Sequence, residues 1–159
     1  NQSSNLNPHD DLEFDESADI IISHVLDGID IAKENSLPDE LIDFIRSHHG
    51  TTTVQYFYKQ FITDFPDEEV DIKDFTYPGP KPFSKETAIL MMSDSSEAAA
   101  RSLKNPNAEN IDALIEKVIN HQINDNQFVN ADITLKEITQ LKKLFKKKLV
   151  NIHHARVEY

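Results

Sequence analysis

Apolar residues recur every three or four positions along most of this chain, which is the period of a helix with one buried face. The stripes predict six helices. The first, second and fourth span approximately residues 17–35, 38–49 and 84–103, and the others begin near residues 51, 105 and 134. No segment has a strand pattern of comparable strength, so the sequence predicts an all-α fold.

Turn and capping residues mark the ends of these helices. Pro38 suits the first turn of the second helix, and Gly50 is expected to end it. Ser84 is expected to cap the fourth helix. Thr134 and Glu137 form a capping box that opens the sixth.

The composition narrows the functional classes. The chain has 159 residues and a formal net charge of −12, which argues against a protein that wraps nucleic-acid polymers. It has no cysteine, which excludes disulfides, thiolate zinc sites and cysteine nucleophiles. No apolar run reaches the length of a membrane span, and no segment resembles a signal peptide.

Seven histidines stand out in this acidic chain, and His48 and His49 are adjacent. If the first two helices form an antiparallel hairpin, the helical rise puts His24 and His48 about 16 and 15 Å from the turn. With His49 at the edge of the same layer, the three imidazoles form a donor set that Zn, Fe, Ni or Cu accepts. Hydrogen-bonded core histidines, or a favourable interaction with the helix dipole, are the alternatives.

Asp94 adds a carboxylate to these candidates. It lies on the predicted fourth helix with Met91 and Ala98, which are expected to be buried. An unpaired buried charge is costly, so this carboxylate needs a partner. A metal ion or a metal-bound histidine would serve, and so would a hydrogen bond at a helix end.

In their order along the chain, these motifs resemble the second half of a metal-dependent HD phosphohydrolase domain. More narrowly, they resemble the cytoplasmic HD domain of the seven-transmembrane HD receptor family, the cyclic di-AMP phosphodiesterases. The similarity covers nearly the whole chain, and the Tyr-Pro-Gly-Pro-Lys-Pro run makes it specific. The matching stretches are residues 7–10, 21–25, 42–51, 56–58, 77–82, 94–103 and 156–159.

The resemblance implies a helical bundle that holds two divalent ions, Mn or Fe. It implies that His24, His48 and His49 bind one ion and that Asp94 binds the other. The implied reaction is hydrolysis of a cyclic dinucleotide, specifically cyclic di-AMP to linear pApA, by a hydroxide that the two metals activate.

The family also requires an earlier histidine and a His-Asp dyad whose aspartate bridges both metals. The only such pair here is His9-Asp10, which lies in a proline-led polar loop and matches a different family stretch. We therefore interpret residues 1–159 as the C-terminal major part of an HD domain without its N-terminal helices. This chain alone is expected to be inactive.

Two basic residues are candidates for phosphate contacts. Arg101 lies about two turns after Asp94 on the same helix face and could clamp a phosphate, with a surface salt bridge as the alternative. Lys81 lies near the end of the predicted loop of residues 64–83, where three prolines in five residues stiffen the chain. Its ammonium could bind phosphate or remain solvated.

Tyr77, Tyr56 and Thr51 complete the candidate substrate contacts. Either tyrosine could stack on adenine, although core packing is the better explanation for Tyr56. The hydroxyl of Thr51 could contact phosphate or cap the next helix. The remaining histidines, His121 and the pair His153-His154, are expected at the surface.

Other functions remain open. The chain could be a non-catalytic metal- or nucleotide-binding regulatory module, a helical partner-binding domain, or an HD hydrolase of cyclic di-GMP or guanosine polyphosphate. The Gly-Thr that follows the histidine pair disfavours the cyclic di-GMP type. The resemblance implies a cytosolic domain of a bacterial inner-membrane protein, which contacts the membrane only through segments upstream of this chain.

Overall fold

Six α-helices, in the order that the apolar pattern predicts, make up most of the structure, a computed structural model that describes residues 14–155. Within that range no strand forms beyond an isolated bridge between Thr53 and Thr76, so the all-α prediction is confirmed. No helix in that range is both long and apolar enough to cross a membrane. The elements are α1 (Phe14–Glu34), α2 (Asp39–Ser47), α3 (Gln55–Asp64), a 3-10 helix (Ile72–Phe75), α4 (Lys85–Arg101), α5 (Ala108–Asn124) and α6 (Leu135–Ala155).

The predicted boundary between the second and third helices is wrong by several residues. Helix α2 ends at Ser47 rather than near residue 49, and α3 begins at Gln55 rather than near residue 51. The intervening backbone pairs with the end of the 3-10 helix and the segment that follows it. The Tyr77 N–H donates to the Thr52 carbonyl at 3.0 Å, and the Val54 N–H donates to the Phe75 carbonyl at 2.7 Å. These groups cannot also join a helical hydrogen-bond ladder.

The chain divides into two compact units, and the first comprises residues 14–46 and 51–78 of the described range. In this unit α1 contacts α3 and the 3-10 helix. Phe75 is fully buried at its centre, and the rings of Tyr58 and Phe61 each meet it edge-on at 5.7 Å. Helix α1 contributes Ala18, Val25 and Ala32 to the buried set.

Within the described range, the second unit comprises residues 47–50 and 79–155. Helices α4, α5 and α6 pack on one another around one apolar core. Ser84 caps α4 in a reciprocal pair with Thr87, as the sequence predicts. The buried core residues are Ala88, Met92, Ala100, Ile111, Ile115, Ile119, Ile138 and Leu149.

The remaining histidine predictions have mixed outcomes. His121 is exposed, as expected, and His153 is half-buried. The pair His9-Asp10, the side chain of His154 and residues 156–159 lie outside what the structure describes.

The capping box of α6 also ties α6 to α4. Glu137 accepts hydrogen bonds from the N–H and hydroxyl of Thr134 at 2.9 and 2.8 Å. Its other carboxylate oxygen lies 2.6 Å from the Lys85 ammonium on α4. The hydrogen bond from Lys85, followed by those from Thr134, lowers the pKa of Glu137 from 4.5 to about 2.

We predict that this carboxylate gives α6 a pH-dependent part of its stability. The folded-state pKa is depressed, so the contribution is complete above about pH 4.5 and is lost as the pH falls towards 2. Glu137→Gln should lower the melting temperature by a few degrees at most at pH 7. The difference from wild type should shrink between pH 5 and pH 2. Glu109→Gln, at an exposed glutamate in the first turn of α5, is the control. A Glu137→Gln difference that does not change with pH would contradict the assignment.

A second prediction concerns two residues with nearly identical left-handed backbones, Gly50 (φ 54°) and Ser36 (φ 53°). Gly50→Ala should lower the free energy of unfolding by about 1–3 kcal/mol, because the conformation strains any side chain. The added Cβ would also overlap Gln127 and lie 3.3 Å from Pro82. Ser36→Gly should raise the free energy of unfolding or leave it unchanged, within about 1 kcal/mol. Urea denaturation measures both, and equal effects of the same sign would contradict the prediction.

Candidate metal centre

His48 and His49 are the central residues of a tight turn immediately after α2. The Gly50 N–H donates to the Ser47 carbonyl at 3.0 Å and closes the turn. The two half-buried imidazoles lie side by side, with ring centroids 3.9 Å apart and planes inclined by 42°. The sequence placed the pair in the last helical turn, whereas the helix ends one residue before it. The turn presents the two neighbouring rings together.

His24 is exposed on α1, in the other unit. Its Nδ1–H donates to the carbonyl of Ile21, one turn earlier on the same helix. A neutral imidazole that donates through Nδ1 carries its lone pair on Nε2, which is the form that a metal ligand needs. The hydrogen bond to Ile21 thus occupies Nδ1 of His24 and leaves Nε2 as the ring nitrogen that a metal could bind.

The Tyr77 ring packs on the His24 ring and is not exposed to solvent in a position where a nucleotide base could stack on it. The tyrosine is only 8% exposed, and its ring meets the His24 ring edge-on, with centroids 6.1 Å apart and planes at 87°. Its backbone N–H is also anchored on Thr52. The sequence offered Tyr77 as a stacking residue, and nothing in the local pattern indicated this contact with α1.

Asp94 lies half-buried on α4, in the same unit as His48 and His49. Met91 and Met92 beside it are buried, as the apolar stripe indicated, whereas Ala98 is exposed. The neighbouring Ser95 accepts a hydrogen bond at 2.8 Å from the buried Gln122 side chain of α5. The residue next to Asp94 therefore links α4 to α5 through a polar contact.

The candidate phosphate-binding residues already have partners within the chain. Arg101 forms an ion pair with Glu97 at 2.7 Å, which is the alternative that the sequence left open. The Lys81 ammonium donates to the carbonyl of Asn126 at 3.1 Å. Both contacts are at least partly solvent-exposed, and such contacts contribute little to stability.

Thr51 and Tyr56 lie where the sequence did not expect them. Thr51 is half-buried in the segment that precedes α3, and Val54 rather than Thr51 occupies the N-cap position of that helix. Tyr56 is 67% exposed, so its expected place in the core is wrong. On this helix Tyr58 contacts the buried Phe75, whereas Tyr56 is exposed beside the Phe57 ring.

Comparison with known proteins gives this chain close relatives, although no family model matches it. It is 41% identical over 159 residues to the cyclic-di-AMP phosphodiesterase PgpH of Bacillus subtilis. It is 43% identical to the protein of the same name from Listeria monocytogenes. The matches cover the whole of this chain but only 22% of each relative, so the chain spans about a fifth of their length.

Solved structures match the fold as well as the sequence. The HD domain of L. monocytogenes phosphodiesterase PgpH is similar with a TM-score of 0.86 at 42% identity. The same domain in complex with cyclic-di-AMP is similar with a TM-score of 0.90 at 43% identity, over 96% of this chain and 70% of that chain. This chain therefore belongs to the PgpH family of HD-domain phosphodiesterases.

Proposed function

We propose that this chain forms the major part of the HD domain of a metal-dependent phosphodiesterase that hydrolyses cyclic di-AMP to linear pApA. The observation that carries the proposal is the match, at 43% identity and a TM-score of 0.90, to an HD domain solved with cyclic-di-AMP. A fold alone does not determine an activity, so the proposal also depends on the side chains that would hold metal and substrate.

His24, His48 and His49 are the proposed ligands of one divalent ion, and Asp94 is the proposed ligand of a second. The three imidazoles are candidate donors for one ion, and the Nδ1 bond of His24 leaves Nε2 as its ligand atom. Nitrogen donors with a carboxylate suit Mn or Fe, which are the ions we propose. The donor set therefore fits the group that the family requires.

Bound divalent ions would supply Lewis acidity towards the phosphodiester and a water molecule of lowered pKa. The residues of the chain hold the ligands in place. Tyr77 packs on the ring of His24, and the turn closed by Gly50 keeps the rings of His48 and His49 together. The net charge of −12 does not oppose binding of an anionic dinucleotide, because bound cations dominate the local field.

Arg101, Lys81 and Thr51 are the proposed phosphate contacts, and Tyr77 is the proposed contact for the adenine base. Arg101 can exchange Glu97 for a phosphate, because an exposed ion pair contributes about 1 kcal/mol or less, and guanidinium binds phosphate through two parallel hydrogen bonds. The Lys81 ammonium donates to the carbonyl of Asn126, and this exposed hydrogen bond can be exchanged for one to a phosphate oxygen. Buried as it is, Tyr77 would have to move before it could stack on a base.

The remaining ligands of the two-metal site are proposed to come from helices upstream of this chain, including a His-Asp dyad. The solved HD domain is longer than the matched part, since this chain covers 70% of it. On this proposal residues 1–159 bind metal but do not hydrolyse substrate alone. The whole protein is proposed to carry this domain on the cytoplasmic side of a bacterial inner membrane.

A non-catalytic regulatory module is the second candidate. It is favoured by the partners that Arg101 and Lys81 already have, since both cations are engaged by groups of the chain itself. Such a module would bind metal or nucleotide without turnover.

We predict that His24→Ala and His48→Ala each weaken Mn²⁺ binding by at least tenfold. Loss of a residue that only orients a ligand typically costs 10–100-fold in metal affinity, so loss of a ligand costs at least as much. Calorimetric titration and metal-dependent melting measure the effect. His121→Ala, at an exposed histidine in the last turn of α5, is the control. Unchanged metal content and melting in the first two variants would favour a helical partner-binding domain without a metal site.

We further predict that a longer form of the protein, extended upstream through a His-Asp dyad, hydrolyses cyclic di-AMP when supplied with Mn²⁺ or Fe²⁺. Chromatography should detect pApA, and Asp94→Asn in the longer form should lower turnover by about 100-fold or more. Residues 1–159 alone should show no turnover. Preferential hydrolysis of cyclic di-GMP would overturn the substrate assignment, and an inactive longer form that still binds metal would favour the regulatory module.

A further inference from the structure

The connection that runs from the last turn of α5 to α6 contains two deeply buried amide side chains. Gln122 is 3% exposed at the end of α5, and Gln127 is 1% exposed in the loop that follows. Glutamine is mostly an exposed residue, and a buried amide needs hydrogen-bond partners. Two such residues in one short connection indicate a segment with a fixed position.

This connection is tied to two other parts of the second unit. The Gln122 amide donates to Ser95 on α4 at 2.8 Å. The Asn126 carbonyl accepts from Lys81 at 3.1 Å. The Gln127 N–H donates to the Gln122 carbonyl at 3.0 Å, which continues the end of α5. The backbone at Gln127 is therefore held by α5, through the Gln122 carbonyl, and by Lys81, through the neighbouring Asn126 carbonyl.

The Gln127 side chain lies directly against Gly50. Its Nε2 donates to the Asp125 carboxylate at 2.7 Å, and this bond turns the amide oxygen towards the glycine. A Cβ built on Gly50 would overlap that oxygen. The contact is therefore possible only because residue 50 has no side chain.

We infer that Gln127 is a positioning residue for the His48-His49 pair. The contact immediately follows the two histidines, and Gly50 is the residue whose N–H closes their turn. A buried amide pressed on that turn limits where the two rings can lie. Residues that orient metal ligands from behind affect affinity through geometry. This inference rests on the proposed metal binding by the histidines.

The experiment uses Co²⁺ as the probe, because its visible absorption reports ligand geometry as well as occupancy. Gln127→Ala should weaken Co²⁺ binding by about tenfold or more and change the absorption bands. Asp125→Ala, at an exposed residue, should weaken binding several-fold because it removes the acceptor of the Gln127 Nε2–H. Asp125→Asn removes the same charge but keeps an acceptor, so its affinity and spectrum should stay close to those of wild type.

Ile115→Val is the stability control, since it trims the core of the same unit far from the turn in sequence. It should lower the melting temperature and leave the Co²⁺ affinity and spectrum unchanged. If Gln127→Ala does not fold, the Asp125 pair decides the question. Equal Co²⁺ binding by Asp125→Ala and Asp125→Asn, or by Gln127→Ala and wild type, would overturn the inference. Absence of Co²⁺ binding by the wild-type chain would instead overturn the proposed metal site.

Discussion

The turn from Ser47 to Gly50 ends α2, places the His48 and His49 rings side by side and packs against the buried amide of Gln127. Gly50 allows this arrangement because it adopts a left-handed backbone without strain and offers no Cβ to the Gln127 side chain. Its N–H closes the turn on the Ser47 carbonyl. The placement of the histidine pair, and with it the proposed chemistry, depends on this one residue.

In the other unit, the candidate ligand His24 also depends on a local backbone arrangement. Thr52 pairs with Tyr77 and Val54 pairs with Phe75 through the backbone, and this pairing prevents α3 from starting earlier. The same pairing fixes Tyr77, whose ring then packs on His24. In each unit, therefore, a segment between helices holds a candidate imidazole in place. The turn of residues 47–50 carries His48 and His49 in one unit, and Tyr77 packs on His24 in the other. The helices provide the core, and these connecting segments position the candidate ligands His48 and His49 and the Tyr77 ring that packs on His24.

The sequence predicted the parts of this arrangement that depend on local pattern. Helix periodicity indicated the all-α fold, and the caps at Ser84 and Thr134 lie where the residue types indicated. The spacing of Glu97 and Arg101 is a recognisable helical ion-pair pattern, so their salt bridge was within reach of the sequence. The order of the histidine and aspartate motifs along the chain, together with the Tyr-Pro-Gly-Pro-Lys-Pro run between them, indicated the family.

Long-range contacts account for what the sequence missed. The start of α3 was misplaced because the pairing partner of Thr52 lies beyond a helix and a loop. Tyr56 is exposed where core packing was expected, and Tyr77 is buried, because helix phase and strand-like pairing set the directions of these side chains. No local sequence pattern indicated the role inferred for Gln127, because that role depends on its contact with Gly50, which is distant in the chain.

The most direct test of the metal assignment is anomalous diffraction at the manganese edge from crystals of the protein grown with Mn²⁺. The account predicts a strong anomalous peak at bonding distance from Nε2 of His24 and from ring nitrogens of His48 and His49. A manganese peak bound by other residues, with these three imidazoles uncoordinated, would contradict it.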